Sequence, residues 1–132
     1  MTHVRPLIIQ TEDLDPAPAA WLRERSELIQ CSHSDPRFHE LVKNADGLIV
    51  RTYTRVNTEL LSKAPKLKVV ARAGVGLDNI DIPACRARGI EVVHTPGANT
   101  RAVVEFVNAL ILDVLRPRAY LDRALPPDQW TT

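Results

Sequence analysis

The 132 residues predict an α/β fold, an open parallel sheet of five strands with helices on both faces. Three observations predict it. Short apolar runs alternate five times with stretches of helical period, each run followed by one such stretch. The runs are apolar without strict alternation (LIV, VVA, EVV), as strands buried on both faces require. Hydrophobic residues make up 45% and charged residues 25% of the chain, enough apolar surface for one ordered core. For five strands of this kind the flavodoxin-like order 2-1-3-4-5 is the natural choice.

The elements follow in chain order. Pro6–Gln10 reads as the first strand, and DPAPAAWLRERS as a helix with proline in its first turn. Glu27–Cys31 is the second and weakest strand. In SDPRFHELVKN, Ser34 or Asp35 is the expected cap, Pro36 lies in the first turn, and Phe38, Leu41 and Val42 fall at helical spacing. Asp46–Arg51 is the third strand, and VNTELLSKAP a short helix capped by Asn57 and ended before Pro65. Leu67–Ala73 is the fourth strand. NIDIPACRARG reads as a helix with Asp81 near its start, Arg86 and Arg88 in its last turn, and Gly89 as its stop. Ile90–Thr95 is the fifth strand.

A helix from about Thr100 to Arg116 differs from the rest. Its polar residues Arg101, Glu105, Asn108 and Asp113 leave only a narrow stripe, so it must be covered on more than one side. A homodimer or higher oligomer through this helix is expected, with Phe106, Leu110 and Val114 at the contact. A tail folded back from Pro117 onward is the competing arrangement. RPRAYLDRALPPDQWTT is proline-broken and reads as a linker.

Composition excludes several function classes. Net charge is +1, which argues against nucleic acid as the main partner. No apolar run approaches the ~18 residues of a membrane span, and the N-terminus turns acidic too soon for a signal peptide. Cys31 and Cys85 give neither a disulfide framework nor a metal spacing, so no metal site and a reducing, cytoplasmic compartment are expected. Residues 51–101 carry nine basic and four acidic groups, whereas residues 1–50 carry five and eight. A basic middle of this kind suits a small anion bound locally.

Ligands of such sheets bind beyond the carboxyl ends of the strands. Arg51 and Arg72 stand at two neighbouring ends, and forked guanidinium donors suit a carboxylate or phosphate. Gly74 and Gly76 allow a tight turn whose amides face an anion unobstructed. Arg51, Arg72 and the amides of Gly74–Gly76 form a candidate carboxylate cradle. The alternative is that the arginines pair with Asp46, Asp78 or Asp81. Gly74-Val75-Gly76-Leu77-Asp78-Asn79 starts like a dinucleotide fingerprint, but Asn79 replaces the third glycine and the loop follows the fourth strand. His94 is a weak candidate base with no carboxylate in local sequence to orient it. His3, His33 and His39 read as surface residues, and Cys85 as a core thiol. Glu12 and Asp13 after the first strand mimic the acidic metal pair of a phospho-receiver domain. Arg51 replaces that domain's phospho-acceptor aspartate and Thr95 its lysine, which sets this reading aside.

The segments ADGLIVR, RAGVGLDNID and TPGAN, in this order, closely resemble the D-isomer-specific 2-hydroxyacid dehydrogenases, the phosphoglycerate dehydrogenases above all. The resemblance runs from about Leu7 to Trp130. It implies a substrate-binding domain over residues 1–98, an interdomain and dimer helix over 99–116, and a linker over 117–132 towards an NAD-binding domain. It also implies that Arg51 and Arg72 face a small anionic 2-hydroxy acid, and that the backbone at Gly74, Val75 and Gly76 holds its carboxylate. The same resemblance implies that Val75 and the start of the long helix near Val103 come close to the nicotinamide side of NAD or NADP. Val75 stands where relatives often carry a small hydroxyl residue, and His94 where Asn is usual. The family's nucleotide loop and catalytic Arg, Glu and His belong to sequence beyond residue 132. The chain is therefore expected to be a truncated portion that binds no cofactor tightly and is inactive alone. A stand-alone carboxylate-binding or regulatory module would keep the same cradle. Charge and resemblance together point to 3-phosphoglycerate or another doubly anionic acid.

Overall fold

A computed structural model describes residues 5–116. Two compact units divide the chain at residues 98 and 99. The first contains strands β1 (Leu7–Gln10), β2 (Glu27–Gln30), β3 (Gly47–Val50), β4 (Val69–Arg72) and β5 (Glu91–His94). All pairings are parallel, in the order β2-β1-β3-β4-β5, which is the expected flavodoxin-like sheet.

Register explains how both faces are used. Ile9, Leu48, Val70 and Val92 are partners across four strands and share one face. Against it pack Phe38 and Val42 of α2 (Phe38–Val42), Leu61 of α3 (Thr58–Ser62) and Cys85 of α4 (Ile82–Ala87), all buried in one core. Cys31 and Cys85 are both free and buried, and burial pushes each thiol's pKa up. Gln10, Ile49, Ala71 and Val93 share the other face. There Pro18 and Leu22 of α1 (Pro16–Arg25), with Leu14, Ile49, Ala71 and Val93, line an apolar cavity of about 290 Å³.

Caps form mostly as the residue types dictate. The Asp15, Asn57 and Asp81 side chains accept from the N–H groups of Ala17, Leu60 and Ala84 at the starts of α1, α3 and α4. Gly89 stops α4 with a φ of +69°, a backbone state that favours glycine. The second helix is a correction. Neither Ser34 nor Asp35 caps it, and α2 begins only at Phe38. The Asp35 carboxylate instead accepts the Arg37 N–H at 2.8 Å and its guanidinium Nη2 at 2.8 Å, closing a turn that delays the helix.

The strands are also shorter than the apolar runs. Arg51 leaves β3 because its N–H donates to the Glu12 carboxylate and not to a neighbouring strand. Helix α5 (Thr100–Leu115) belongs to the second unit; none of its residues is buried, and Arg101 Nε meets Glu105 Oε1 at 2.8 Å. No helix among the described residues is long and apolar enough to cross a membrane. His3 and the linker expected over 117–132 lie outside the described residues.

Phe38 is the largest fully buried side chain, joining α2 to the sheet. Phe38→Ala is expected to lower unfolding free energy by about 3–5 kcal/mol, read from urea denaturation. A loss below ~1 kcal/mol would show that this face does not carry the core.

Candidate functional site

The loop after β3 is held by a single carboxylate. β1 and β3 are neighbours, so Glu12, just past β1, reaches the loop that leaves β3. Its Oε1 accepts the Arg51 N–H at 3.0 Å and the Thr54 N–H at 3.3 Å, and its Oε2 the Thr52 N–H at 2.8 Å. The Tyr53 N–H lies 3.2 Å from both oxygens. Thr54 Oγ1, fully buried, is 2.7 Å from Thr11 Oγ1 and 3.2 Å from Glu12 Oε1. Burial pushes the Glu12 carboxyl up, but the amides of Thr52, Arg51, Tyr53 and Thr54 outweigh it and hold the group at about 2, below its usual 4.5.

The loop after β4 closes on the same segment. Asn79 Nδ2 donates to the Arg51 carbonyl at 3.0 Å and the Thr54 carbonyl at 2.7 Å. A parallel bridge joins Val56 to Ile80, with Val56 N–H donating to Asn79 O and Asp81 N–H to Val56 O, each at 2.8 Å. The position that lacks the fingerprint's third glycine thus carries a side chain that ties two loops together.

The two arginines stand on these loops. Val50 and Arg72 are register partners, so Arg51 and Arg72 leave adjacent strands at nearly one level. Arg51 is exposed, and its Nη1 donates to the Asp13 carbonyl at 3.0 Å. Arg72 is half-buried, with its Nε buried and without a partner among the described residues. Neither forms an ion pair with the carboxylates that sequence offered, among the described residues: Asp46 meets Lys68 Nζ at 2.7 Å, Asp81 caps α4, and Asp78 is exposed on the turn with its Oδ2 beside Gly76. Gly74 leaves room for the Arg72 guanidinium, which a Cβ there would overlap and displace. Its N–H donates to Arg72 O at 2.9 Å and its carbonyl accepts from Thr95 N–H at 3.1 Å. The N–H groups of Val75 and Gly76 have no partner among the described residues and stand on an exposed turn. His94 Nδ1 lies 2.9 Å from Val75 O, whose only available role is acceptor, so the imidazole braces this turn.

A half-buried guanidinium without an anion, two open amides beside it and a second arginine on the adjoining loop are the elements of a carboxylate or phosphate site. The receiver-type reading has no support in this geometry. The Glu12 carboxylate is filled by backbone amides, and that of Asp13 accepts from Gln30 Nε2 at 2.6 Å. No group of His, Cys, Asp and Glu among the described residues could hold a metal ion. Glu12 and Asn79 were not legible as loop anchors from local sequence. The available signal was strand order, since 2-1-3-4-5 places the end of β1 beside the loop after β3.

Comparison with known proteins gives a consistent picture. The family model described as D-isomer specific 2-hydroxyacid dehydrogenase, catalytic domain, matches residues 8–127. D-3-phosphoglycerate dehydrogenase of Mycobacterium bovis is 39% identical over 95% of this chain, which spans 24% of that protein's length. Glyoxylate reductase of Thermofilum pendens is 35% identical over 96% of this chain, which spans 39% of it. Among solved structures, D-lactate dehydrogenase from Aquifex aeolicus, complexed with NAD and lactic acid, superposes with a TM-score of 0.72. It shares 28% identity over 83% of this chain and 34% of its own.

Glu12→Gln is expected to lower stability by about 2 kcal/mol at pH 7, because one amide oxygen cannot serve four N–H donors. The folded-state pKa of Glu12 is depressed, so its contribution is present above about 4.5 and is lost as pH falls towards about 2. Urea midpoints of wild type and Glu12→Gln are therefore expected to converge over that window. A gap that stays constant down to pH 2 would show that carboxylate charge is not what the amides require.

Proposed function

Because the chain belongs to the D-isomer-specific 2-hydroxyacid dehydrogenase family, we propose that residues 1–98 form the substrate-binding domain of an NAD(P)-dependent oxidoreductase acting in the cytoplasm. It interconverts a D-2-hydroxy acid and its 2-keto acid, and 3-phosphoglycerate or another doubly anionic acid suits the charge. The single observation that carries this reading is Arg72, half-buried, with its Nε buried and without a partner among the described residues. Burying an unpaired cation is costly, and a ligand carboxylate or phosphate supplies the missing charge. Val75 and Gly76 donate their N–H groups to the same acid, Gly74 leaves room for Arg72, and Arg51 binds the acid's second charged group. By fixing the carboxylate, these groups orient C2 for the reaction.

The residues described here do not fit a dinucleotide by themselves. The Gly74–Asn79 loop lies at the end of the fourth strand, and the Asn79 amide is spent on two backbone carbonyls. Val75 and Val103 are proposed as edge contacts to the cofactor's nicotinamide side, residues 99–116 as the interdomain helix, and residues 117–132 as the link to a nucleotide-binding domain. The same helix is proposed to join two copies of the chain, since Phe106, Leu110 and Val114 are all exposed on it.

Three measurements test these readings. Titration with D-3-phosphoglycerate is expected to shift the amide resonances of Val75 and Gly76, and Arg72→Ala to weaken binding by ~2 kcal/mol. No shift with any hydroxy acid would remove the site. Gly74→Ala is expected to change stability by less than ~1 kcal/mol, since only a flexible side chain must move, yet to weaken binding as Arg72→Ala does. Unchanged affinity would separate Gly74 from the arginine. Sedimentation at micromolar concentration is expected to show a dimer that Leu110→Lys dissociates; a clean 14.7 kDa wild-type species would exclude it.

A further inference from the structure

The dipeptide Glu12–Asp13 remains without a role in that reading, although it makes the densest polar contacts of the site. Arg51 is gripped from three directions. Its N–H donates to Glu12 Oε1 at 3.0 Å, its carbonyl accepts from Asn79 Nδ2 at 3.0 Å, and its guanidinium Nη1 donates to the Asp13 carbonyl at 3.0 Å. A guanidinium has five N–H donors, so this last bond directs the side chain and still leaves donors for a ligand. We propose that Glu12 is the positioning residue of the acid site: its carboxylate gathers the amides of residues 51–54 and thereby aims Arg51.

The chemistry of the group fits this role. Four N–H donors converge on two oxygens, and only an ionised carboxylate offers acceptor sites for all of them. Both oxygens are occupied, and an anion repels an acidic ligand, so Glu12 does not touch the substrate. It acts through Arg51. An exposed arginine on a free loop would lose rotamer and backbone freedom on binding; with the loop already ordered, that loss is made on folding.

This inference rests on the reading of Arg51 as an acid-binding residue, and a double-mutant cycle on the full 132-residue chain separates the two. D-3-phosphoglycerate is titrated by calorimetry into wild type, Glu12→Gln, Arg51→Ala and the double variant. Each single change is expected to weaken binding about tenfold, and the double variant to bind no more weakly than Arg51→Ala alone, because both act through one side chain. Equal weakening by Glu12→Gln in both backgrounds would assign Glu12 to general folding and overturn the proposal. Unchanged affinity in Glu12→Gln would overturn it as well. A wild type that binds no acid defeats the acid-site reading itself, a distinct outcome. Should Glu12→Gln not fold, Glu12→Asp keeps the charge one methylene back; the same cycle is then expected with a smaller factor, and additivity there again overturns the role.

Discussion

Four backbone N–H groups in succession, those of Arg51 to Thr54, leave the sheet with no strand to receive them. Thr54 at its end is fully buried, where an unmet amide costs as much as a lost hydrogen bond, so the segment needs an acceptor there. The Glu12 carboxylate is that acceptor. Because it holds the loop from the β1 side while Asn79 holds it from the β4 side, the turn bearing Arg51 is defined by its neighbours and not by its own propensity.

The sheet supplies the remaining alignment. Parallel register puts Val50, Arg72 and His94 at one level, so the loops that leave β3, β4 and β5 start side by side. Each then solves a different local problem. Gly74 gives up its side chain to admit the Arg72 guanidinium, and His94 braces the carbonyl of Val75. Among the described residues the loops leave open two arginine side chains and the N–H groups of Val75 and Gly76, with the exposed Asp78 on the same turn. Three other acid groups nearby are committed, Asp46 to Lys68, Asp81 to α4 and Asp13 to Gln30.

Relatives with this architecture carry the names of phosphoglycerate dehydrogenase, glyoxylate reductase and D-lactate dehydrogenase. The acids in those names are 2-oxygenated carboxylates, the class proposed for the site. A second arginine beside the first suits the doubly charged acid proposed there. The chain spans about a quarter of the length of the mycobacterial relative.

Periodicity alone determined the element order and the five-stranded sheet, because apolar spacing encodes which side of each element must leave water. Burial on both faces holds for the central β3 and not for β5, an edge strand whose Glu91, Val93 and His94 are exposed. Caps at Asp15, Asn57 and Asp81 and the stop at Gly89 were equally legible, since each satisfies neighbours within four residues. Arg51, Arg72 and the glycine turn could be singled out because strand ends are where such sheets bind ligands. The late start of α2 was not readable, as Asp35 had two local uses and bonding to Arg37 prevailed. Nor were the anchoring roles of Glu12 and Asn79. Those residues act on partners up to 42 positions away, and only the side-by-side placement of β1, β3 and β4 brings the carboxylate, the amide and the loop together.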